Sequence, residues 1–241
     1  MLAHFKDRAA RYNRSSGWVG DGALLDLMFR LAAVQGGETV LDAATGTGLV
    51  AARFKGRVKE VIGLDISTDM TRQAAGSVDR MIIAPAERIP LPDACVDVVV
   101  CRQGLQFVDL PKAAAELARV LRPGGRAVLC HLCAYGEEDA ADAFKIQALR
   151  NPARVNFFKP GDLEAALERA GMAVTAVERY PSRESVDRWT DHGAAGAEER
   201  EAIKRAYRQA SEAFRRLHRI EESDGDILDT MLLLVIRAER R

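Results

Sequence analysis

Residues Thr39 to Val50 read TVLDAATGTGLV, an apolar run ending in an acid, then a small-residue turn with two glycines and a segment able to open a helix. Val40 and Leu41 read as the end of a buried strand. Gly46 and Gly48 let the turn bring its backbone against a ligand with no Cβ in the way, so something flat or phosphorylated is expected there. Two ligand classes satisfy this. Gly46, Gly48 and Ala51 carry the spacing of a dinucleotide-binding turn, which sets a pyrophosphate on a helix N-terminus and makes a nicotinamide-dependent oxidoreductase one reading. Asp42 favours the other, because its carboxylate just before the turn suits a cationic ligand better than phosphates.

Working outward, Glu60–Asp65 (EVIGLD) is a second short apolar strand ending in an acid. An acid there can accept both ribose hydroxyls of an adenosine in either class of cofactor; a helix N-cap at Asp65 or Ser67 is the plainer alternative. The run CVDVVVCRQGLQF (Cys95 to Phe107) has Val96, Val98 and Val100 alternating with Asp97, Val99 and Cys101. Such a nearly continuous apolar strand expects cover on both faces. Its carboxyl end carries Arg102, Gln103, Gly104 and Gln106, where ligands gather in open parallel sheets. Pro111 then opens a helix with Ala114, Leu117, Ala118 and Leu121 as its stripe, and LRPGGR (Leu121 to Arg126) ends it and starts the next strand.

Together these segments resemble class I S-adenosylmethionine-dependent methyltransferases from Thr39 to Leu132. The resemblance implies that Asp42 addresses the cationic amino-acid end of the cofactor, often through water, and that Ala44, Thr45, Gly46 and Gly48 form the turn beneath it. Ala44 stands where the family usually has a third glycine. Asp65 would hold the ribose, with Ile66 and Met70 as further cofactor contacts. In DRMIIAPAERIPLP (Asp79 to Pro92) the family's adenine-binding acid falls on Pro85, Ala86 takes the small position, and Glu87 is the substitute carboxylate. Arg102 and Gln103 complete the cofactor set. Tyr12, in the N-terminal FKDRAARYNRSSGWV, is implied to lie near the methionine end.

The implied fold is α/β, a doubly wound, mostly parallel seven-stranded sheet of the Rossmann-like methyltransferase type. Met172 to Tyr180 is the sixth strand, and Thr230 to Ala238 is an antiparallel last strand inserted between the fifth and sixth. One domain over 1–241 is expected, with an N-terminal helical cover (1–37) and lid insertions at 134–159 and 182–229. Within the second insertion, Glu198 to His218 reads as one helix, with Ile203, Tyr207, Ala210, Phe214 and Leu217 as its apolar stripe and charges that match the helix dipole. Tyr207 and Phe214 are also candidate walls of a substrate pocket.

The reaction implied is an in-line displacement onto an oxygen, nitrogen or carbon atom, in which the protein mainly positions the nucleophile at about 3 Å and adds a base only if the nucleophile arrives protonated. His131 is the first candidate for that base because its ordinary pKa lies near neutrality, with a core histidine as the equal alternative. His192 and His218 come after it, and His4 reads as terminal surface. Arg150, Arg154, and Arg183 with Glu184, are candidates for holding an acidic substrate through paired hydrogen bonds. Cys130 and Cys133 sit three apart on a strand and so point to opposite faces; they read as filler, and no metal site is expected. Glu221, Glu222, Asp224 and Asp226 read as a polar turn.

Thirty-five basic residues balance thirty-five acidic ones. That argues against a broad nucleic-acid footprint, and Arg102, Gln103, Gly104 and Leu105 do not match the signature of amino-group DNA methyltransferases. A small-molecule substrate is expected, without nucleic acid or membrane partners, and a homodimer remains open. No apolar stretch reaches the ~20 residues needed to cross a bilayer, so a cytoplasmic protein with reduced cysteines is expected. The motifs look most like small-molecule and quinone-type methyltransferases. A non-catalytic protein that keeps this fold for assembly is the alternative from another class.

Overall fold

The computed structural model describes residues 16–191 and 195–241. The elements run α1 (Gly22–Ala32), β1 (Thr39–Ala43), α2 (Ala51–Phe54), β2 (Glu60–Asp65), α3 (Thr68–Ala74), β3 (Arg80–Ile83), β4 (Val96–Arg102), a 3-10 turn (Leu105–Phe107), α4 (Leu110–Val120) and β5 (Leu121–Cys133). They continue with α5 (Glu137–Arg150), α6 (Asp162–Arg169), β6 (Met172–Ser185), α7 (Val186–Thr190), α8 (Ala197–Gln209), α9 (Glu212–Leu217), β7 (Glu221–Ser223) and β8 (Asp226–Arg240).

The sheet has the order β3-β2-β1-β4-β5-β8-β6, with β7 paired to β8. From β3 to β5 the neighbours are parallel, while β8 runs antiparallel to both β5 and β6. The inserted antiparallel strand is therefore where the sequence reading put it. The short β7 is an eighth strand, made in the acidic stretch read as a turn, and pairs Glu221 with Leu228 and Ser223 with Asp226.

Alternation along the strands builds two cores. Val40, Val61, Val98, Val100, Val128 and Cys130 face α1 and α2, where Leu24, Met28 and Phe54 cover them. Leu41, Leu64, Val99, Cys101, Leu129 and Cys133 face α4 and α6, beneath Leu117 and Leu163. Cys130 and Cys133 thus sit in different cores, as their spacing requires. Burial pushes the Cys130 thiol up to about 12.

Two boundaries differ from the sequence reading. β6 continues past Tyr180 to Ser185, with Pro181 opposite Leu232, and β8 begins at Asp226. Pro181 does not stop the strand because β6 is at the sheet edge, where a missing N–H costs no ladder bond. The expected helix over Glu198 to His218 is two: Ala210 turns extended (ψ 151) and the Ser211 hydroxyl accepts the Phe214 N–H to start α9. An N-cap serine followed by an acid outcompetes the continuing stripe.

Helices α5, α7, α8 and α9 pack with the ends of β5 and β8 into a third apolar core, around Leu132, Ile146, Trp189, Ile203, Tyr207 and Phe214. A polar network crosses it. His218 bridges Asp229 (Nδ1 to Oδ1, 2.8 Å) and Asp139 (Nε2 to Oδ2, 2.9 Å), and the Tyr207 hydroxyl donates to Asp229 at 2.7 Å. The two carboxylates overcome burial and push His218 up to about 9, so it is a charged clamp between α5, α9 and β8. Among the described residues no helix is long and apolar enough to cross a membrane.

Candidate functional site

The turn after β1 is held from three sides. The Asp42 Oδ2 accepts the Thr45 hydroxyl (2.9 Å) and the Ala51 N–H (3.0 Å), the Thr45 N–H donates to the Leu64 carbonyl (3.0 Å), and the Gly48 N–H donates to the Thr45 carbonyl (2.9 Å). From β2, the Asp65 carboxylate reaches across: Oδ2 accepts the Gly46 N–H (2.8 Å) and Oδ1 the Ser67 N–H (2.9 Å).

A cavity of about 230 Å³ opens at the carboxyl ends of β1, β2 and β4. Of the expected cofactor residues, Ala44, Gly46, Asp65, Ile66, Met70, Ala86, Glu87, Arg102 and Gln103 line it; Asp42, Thr45 and Gly48 stand behind the wall. Gly48, at φ +82, is needed for packing rather than for a ligand, since a Cβ there would lie 2.9 Å from Ser77 Cβ and 3.0 Å from Ala74. Gly46, at φ +54, would meet only the Met70 methyl at 3.5 Å, so its open side is the ligand-facing one. Tyr12 lies outside the described residues.

Ala44 adopts φ +58, the left-handed conformation that disfavours a Cβ. Its methyl is accommodated by Gly104 on β4's exit, where an added Cβ would come 2.4 Å from it. The alanine in place of a family glycine is thus matched by a glycine across the floor of the cavity.

Burial pushes Asp42 up to about 7, against the opposing hydrogen bonds of Thr45 and Ala51, and raises Asp65. The Asp42 Oδ1 is buried with no partner. Two carboxylates whose charged forms are disfavoured by burial are stabilised by a cation and repel a phosphate. A carboxylate has about four acceptor sites, so Asp65 keeps acceptor capacity beyond the N–H groups of Gly46, Ser67 and Ile66. The apolar slot beside it, Ile66, Met70, Ala84, Pro85, Ala86 and Val108, suits a flat ring. Glu87 Oε1 accepts the Asp109 N–H at 3.1 Å, so part of this substitute carboxylate is engaged. Gln103, at φ +56, accepts the Gln106 amide at 3.2 Å, leaving the Gln103 Nε2 and Gln106 Oε1 buried without partners on the same wall.

Several expectations are corrected. His131 is fully buried and off the cavity wall; its Nε2 accepts the Leu105 N–H at 3.1 Å and burial pushes it down to about 3. It is a neutral histidine that fixes the exit of β4, not a base that reaches a nucleophile. Arg102 is pinned by the Trp18 and Val19 carbonyls (3.3 and 2.9 Å), while buried Glu184 accepts the Gly17 and Trp18 N–H groups (2.7 and 3.0 Å). Both anchor the N-terminal segment. Arg183 pairs with Glu221 at 2.6 Å, away from the cavity. Tyr207 and Phe214 belong to the third apolar core and His218 to the polar network that crosses it, and His4 and His192 lie outside the described residues.

Arg150 and Arg154 do reach the cavity, together with Trp18, Leu132, Gln147, Asn151 and Trp189, which the sequence reading did not single out. Trp18 and Trp189 are the only two tryptophans of the chain, and that rarity was the available signal for large aromatic walls.

The Methyltransferase domain family model matches residues 41–129. The uncharacterized methyltransferase YcgJ of Bacillus subtilis is 29% identical over 206 residues, 81% of each chain. Its crystal structure superposes with a TM-score of 0.84 at 26% identity, covering 90% of this chain and 97% of that one. A malonyl-[acyl-carrier protein] O-methyltransferase of Serratia marcescens is 37% identical over 130 residues, 52% of this chain and 49% of its own. A demethylmenaquinone methyltransferase of Deinococcus radiodurans is 43% identical over 99 residues, 37% of this chain and 41% of its own. The glycine turn, the acid-tipped second strand, the inserted antiparallel strand and these likenesses agree: the chain resembles the class I S-adenosylmethionine-dependent methyltransferases in fold and carries their domain model over residues 41–129.

Proposed function

We propose that the protein methylates a small molecule at an oxygen, nitrogen or carbon atom, with S-adenosylmethionine as donor. The observation that carries this is the cavity floor: the open side of Gly46 and the burial-strained acids Asp42 and Asp65 suit a cationic adenosine derivative and disfavour a pyrophosphate. Malonyl-[acyl-carrier protein] and demethylmenaquinone methyltransferases among the partial relatives support an acceptor outside nucleic acid, as does the balance of charge.

In this reading Asp65 holds the ribose hydroxyls, and Ile66, Met70 and Ala86 bracket the adenine, with Glu87 at its edge. Asp42 reaches the amino group through water from its unpaired Oδ1, Gln103 offers its unpaired amide N–H, and the N-terminal segment pinned by Arg102 closes the methionine end. When bound, the cofactor supplies a methyl group already activated on a sulfonium. The chain's own work is to hold the acceptor and keep water out, with Trp18, Leu132 and Trp189 as walls. Among the described residues, the half of the cavity lined by the lid holds amides and guanidinium groups but no carboxylate or imidazole. The rate then follows the acceptor's own ionisation rather than that of a protein base. We place the protein in the cytoplasm, consistent with four free cysteines.

Calorimetry with S-adenosylhomocysteine and, separately, NAD tests the assignment. Binding of the first and not the second is expected; binding of NAD alone overturns it.

A further inference from the structure

The cavity has two chemically different halves. Asp65 and Glu87 lie on the β2 side, whereas Arg150 and Arg154 lie on the lid side, beyond the ends of β4 and β5. Arg154 lacks the carboxylate partner that several partly buried arginines of the fold have. Arg119 pairs with Glu116 (2.6 Å), Arg126 with Glu38 (2.8 Å) and Arg237 with Glu239 (2.6 Å). Arg154 forms no ion pair with any carboxylate among the described residues. Its Nη1 donates to the Gln147 Oε1 at 2.5 Å and its guanidinium lies 5.5 Å from the Phe157 ring centroid. Of five donors, one therefore has a side-chain acceptor, and burial pushes the group down to about 10. A guanidinium withdrawn from water without a counter-charge is disfavoured, and an anion from outside relieves that.

The arginine is also firmly placed. The Val155 and Asn156 N–H groups donate to the Gln106 carbonyl (2.9 and 3.1 Å), and the Asn156 amide donates to the Leu105 and Val108 carbonyls (2.8 and 2.7 Å). These bonds fasten the segment carrying Arg154 to the exit of β4. Arg150 adds a second positive charge on the same wall; its Nε donates to the Trp189 carbonyl at 3.0 Å and its guanidinium lies 4.5 Å over the Trp189 ring. Leu132 and Trp189 make the neighbouring surface apolar.

The geometry points to an acceptor that carries an anionic oxygen group, a carboxylate or a phosphate, held by Arg154 next to an apolar body that lies against Leu132 and Trp189. This rests on the methyl-transfer reading and narrows its substrate class. A guanidinium fork matches either oxyanion with two parallel hydrogen bonds. The alternative, that Arg154 serves the cofactor's own carboxylate, is separated by the same experiment.

Protein saturated with S-adenosylhomocysteine is titrated with benzoate, phenyl phosphate and the neutral benzamide, followed by calorimetry and by fluorescence of Trp18 and Trp189. Binding of at least one anion about tenfold tighter than benzamide is expected, weakening as salt is raised; which anion wins identifies the oxyanion. Arg154→Gln should lose that preference, Arg154→Lys should recover part of it, and S-adenosylhomocysteine affinity should stay within about twofold. If Arg154→Gln does not fold, the wild-type ratio of anion to amide decides. The proposal is overturned by equal binding of benzamide and the anions, by no binding of any probe up to about 10 mM, or by a folded Arg154→Gln that binds the anion unchanged. A tenfold loss of S-adenosylhomocysteine affinity in that variant reassigns Arg154 to the cofactor. Failure of wild-type protein to bind S-adenosylhomocysteine overturns the methyl-transfer reading instead, whatever the probes do.

Discussion

The contact of Ala44 with Gly104 can be tested as a thermodynamic cycle. Gly104→Ala alone brings a methyl to 2.4 Å from the Ala44 Cβ and 3.0 Å from the Cys101 Sγ, on a floor where neither strand can move without disturbing the sheet. Overpacking of this kind costs about 1–3 kcal/mol. Ala44→Gly alone relieves a left-handed alanine, a gain of about 1 kcal/mol, largely offset by the greater freedom of glycine in the unfolded chain, about 0.5–1 kcal/mol. The single change at position 44 should therefore be close to neutral. In the double variant the methyl at 104 finds the space left at 44, and most of the overpacking disappears. The expected coupling is about 2 kcal/mol, well above the ~0.5 kcal/mol within which independent sites add. Urea unfolding of the four proteins, with a common slope, measures it. Effects that add within error would refute the claim that the alanine in the cofactor turn is tolerated because Gly104 faces it.

Asp65→Ala should leave the fold intact, since burial already disfavours its carboxylate, and should weaken S-adenosylhomocysteine by about 100-fold, the loss of two hydrogen bonds to a charged acceptor at about 1.5–3 kcal/mol each before water replaces them; unchanged affinity by calorimetry would show the ribose site is misplaced. His218, raised from 6.5 to about 9 in the folded protein, contributes stability that is fully present below pH 6.5 and is lost as pH rises through 9. The loss is up to about 3 kcal/mol, and His218→Gln should flatten this fall in thermal melts; a wild-type melting curve level from pH 6.5 to 9.5 would count against the charged clamp. Gly48→Ala should destabilise through contact with Ser77 (2.9 Å) and with Ala74 at the end of α3 (3.0 Å), and through positive φ, by about 1–3 kcal/mol, in urea unfolding without ligand; stability equal to wild type would place Gly48 at the ligand after all.

The parallel part of the sheet was legible because β1, β2 and β4 are buried on both faces and therefore read as apolar runs, with an acid or polar residues at the ligand-facing ends. The floor of the cavity was legible for the same reason, down to Asp65, Ile66, Met70 and Ala86. Sequence spacing could not tell a residue that lines the cavity from one that holds the lining in place. Asp42 is turned back onto Thr45 and Ala51, Gly48 packs on α3, and Arg102 secures the N-terminal segment; these orientations follow from contacts distant along the chain. Sequence left His131 open between a base and a core histidine, because a strand position near the sheet's carboxyl end does not reveal that the 3-10 turn covers it. The lid walls escaped because Trp189 and Gln147 belong to helices whose packing partners come from another insertion.

The most direct measurement is a crystal structure grown with S-adenosylhomocysteine. The ribose hydroxyls are expected on the Asp65 carboxylate, the adenine in the slot between Ile66 and Ala86, and the sulfur facing the Arg154 side of the cavity. A nucleoside bound elsewhere, or one whose ribose makes no contact with Asp65, would contradict it.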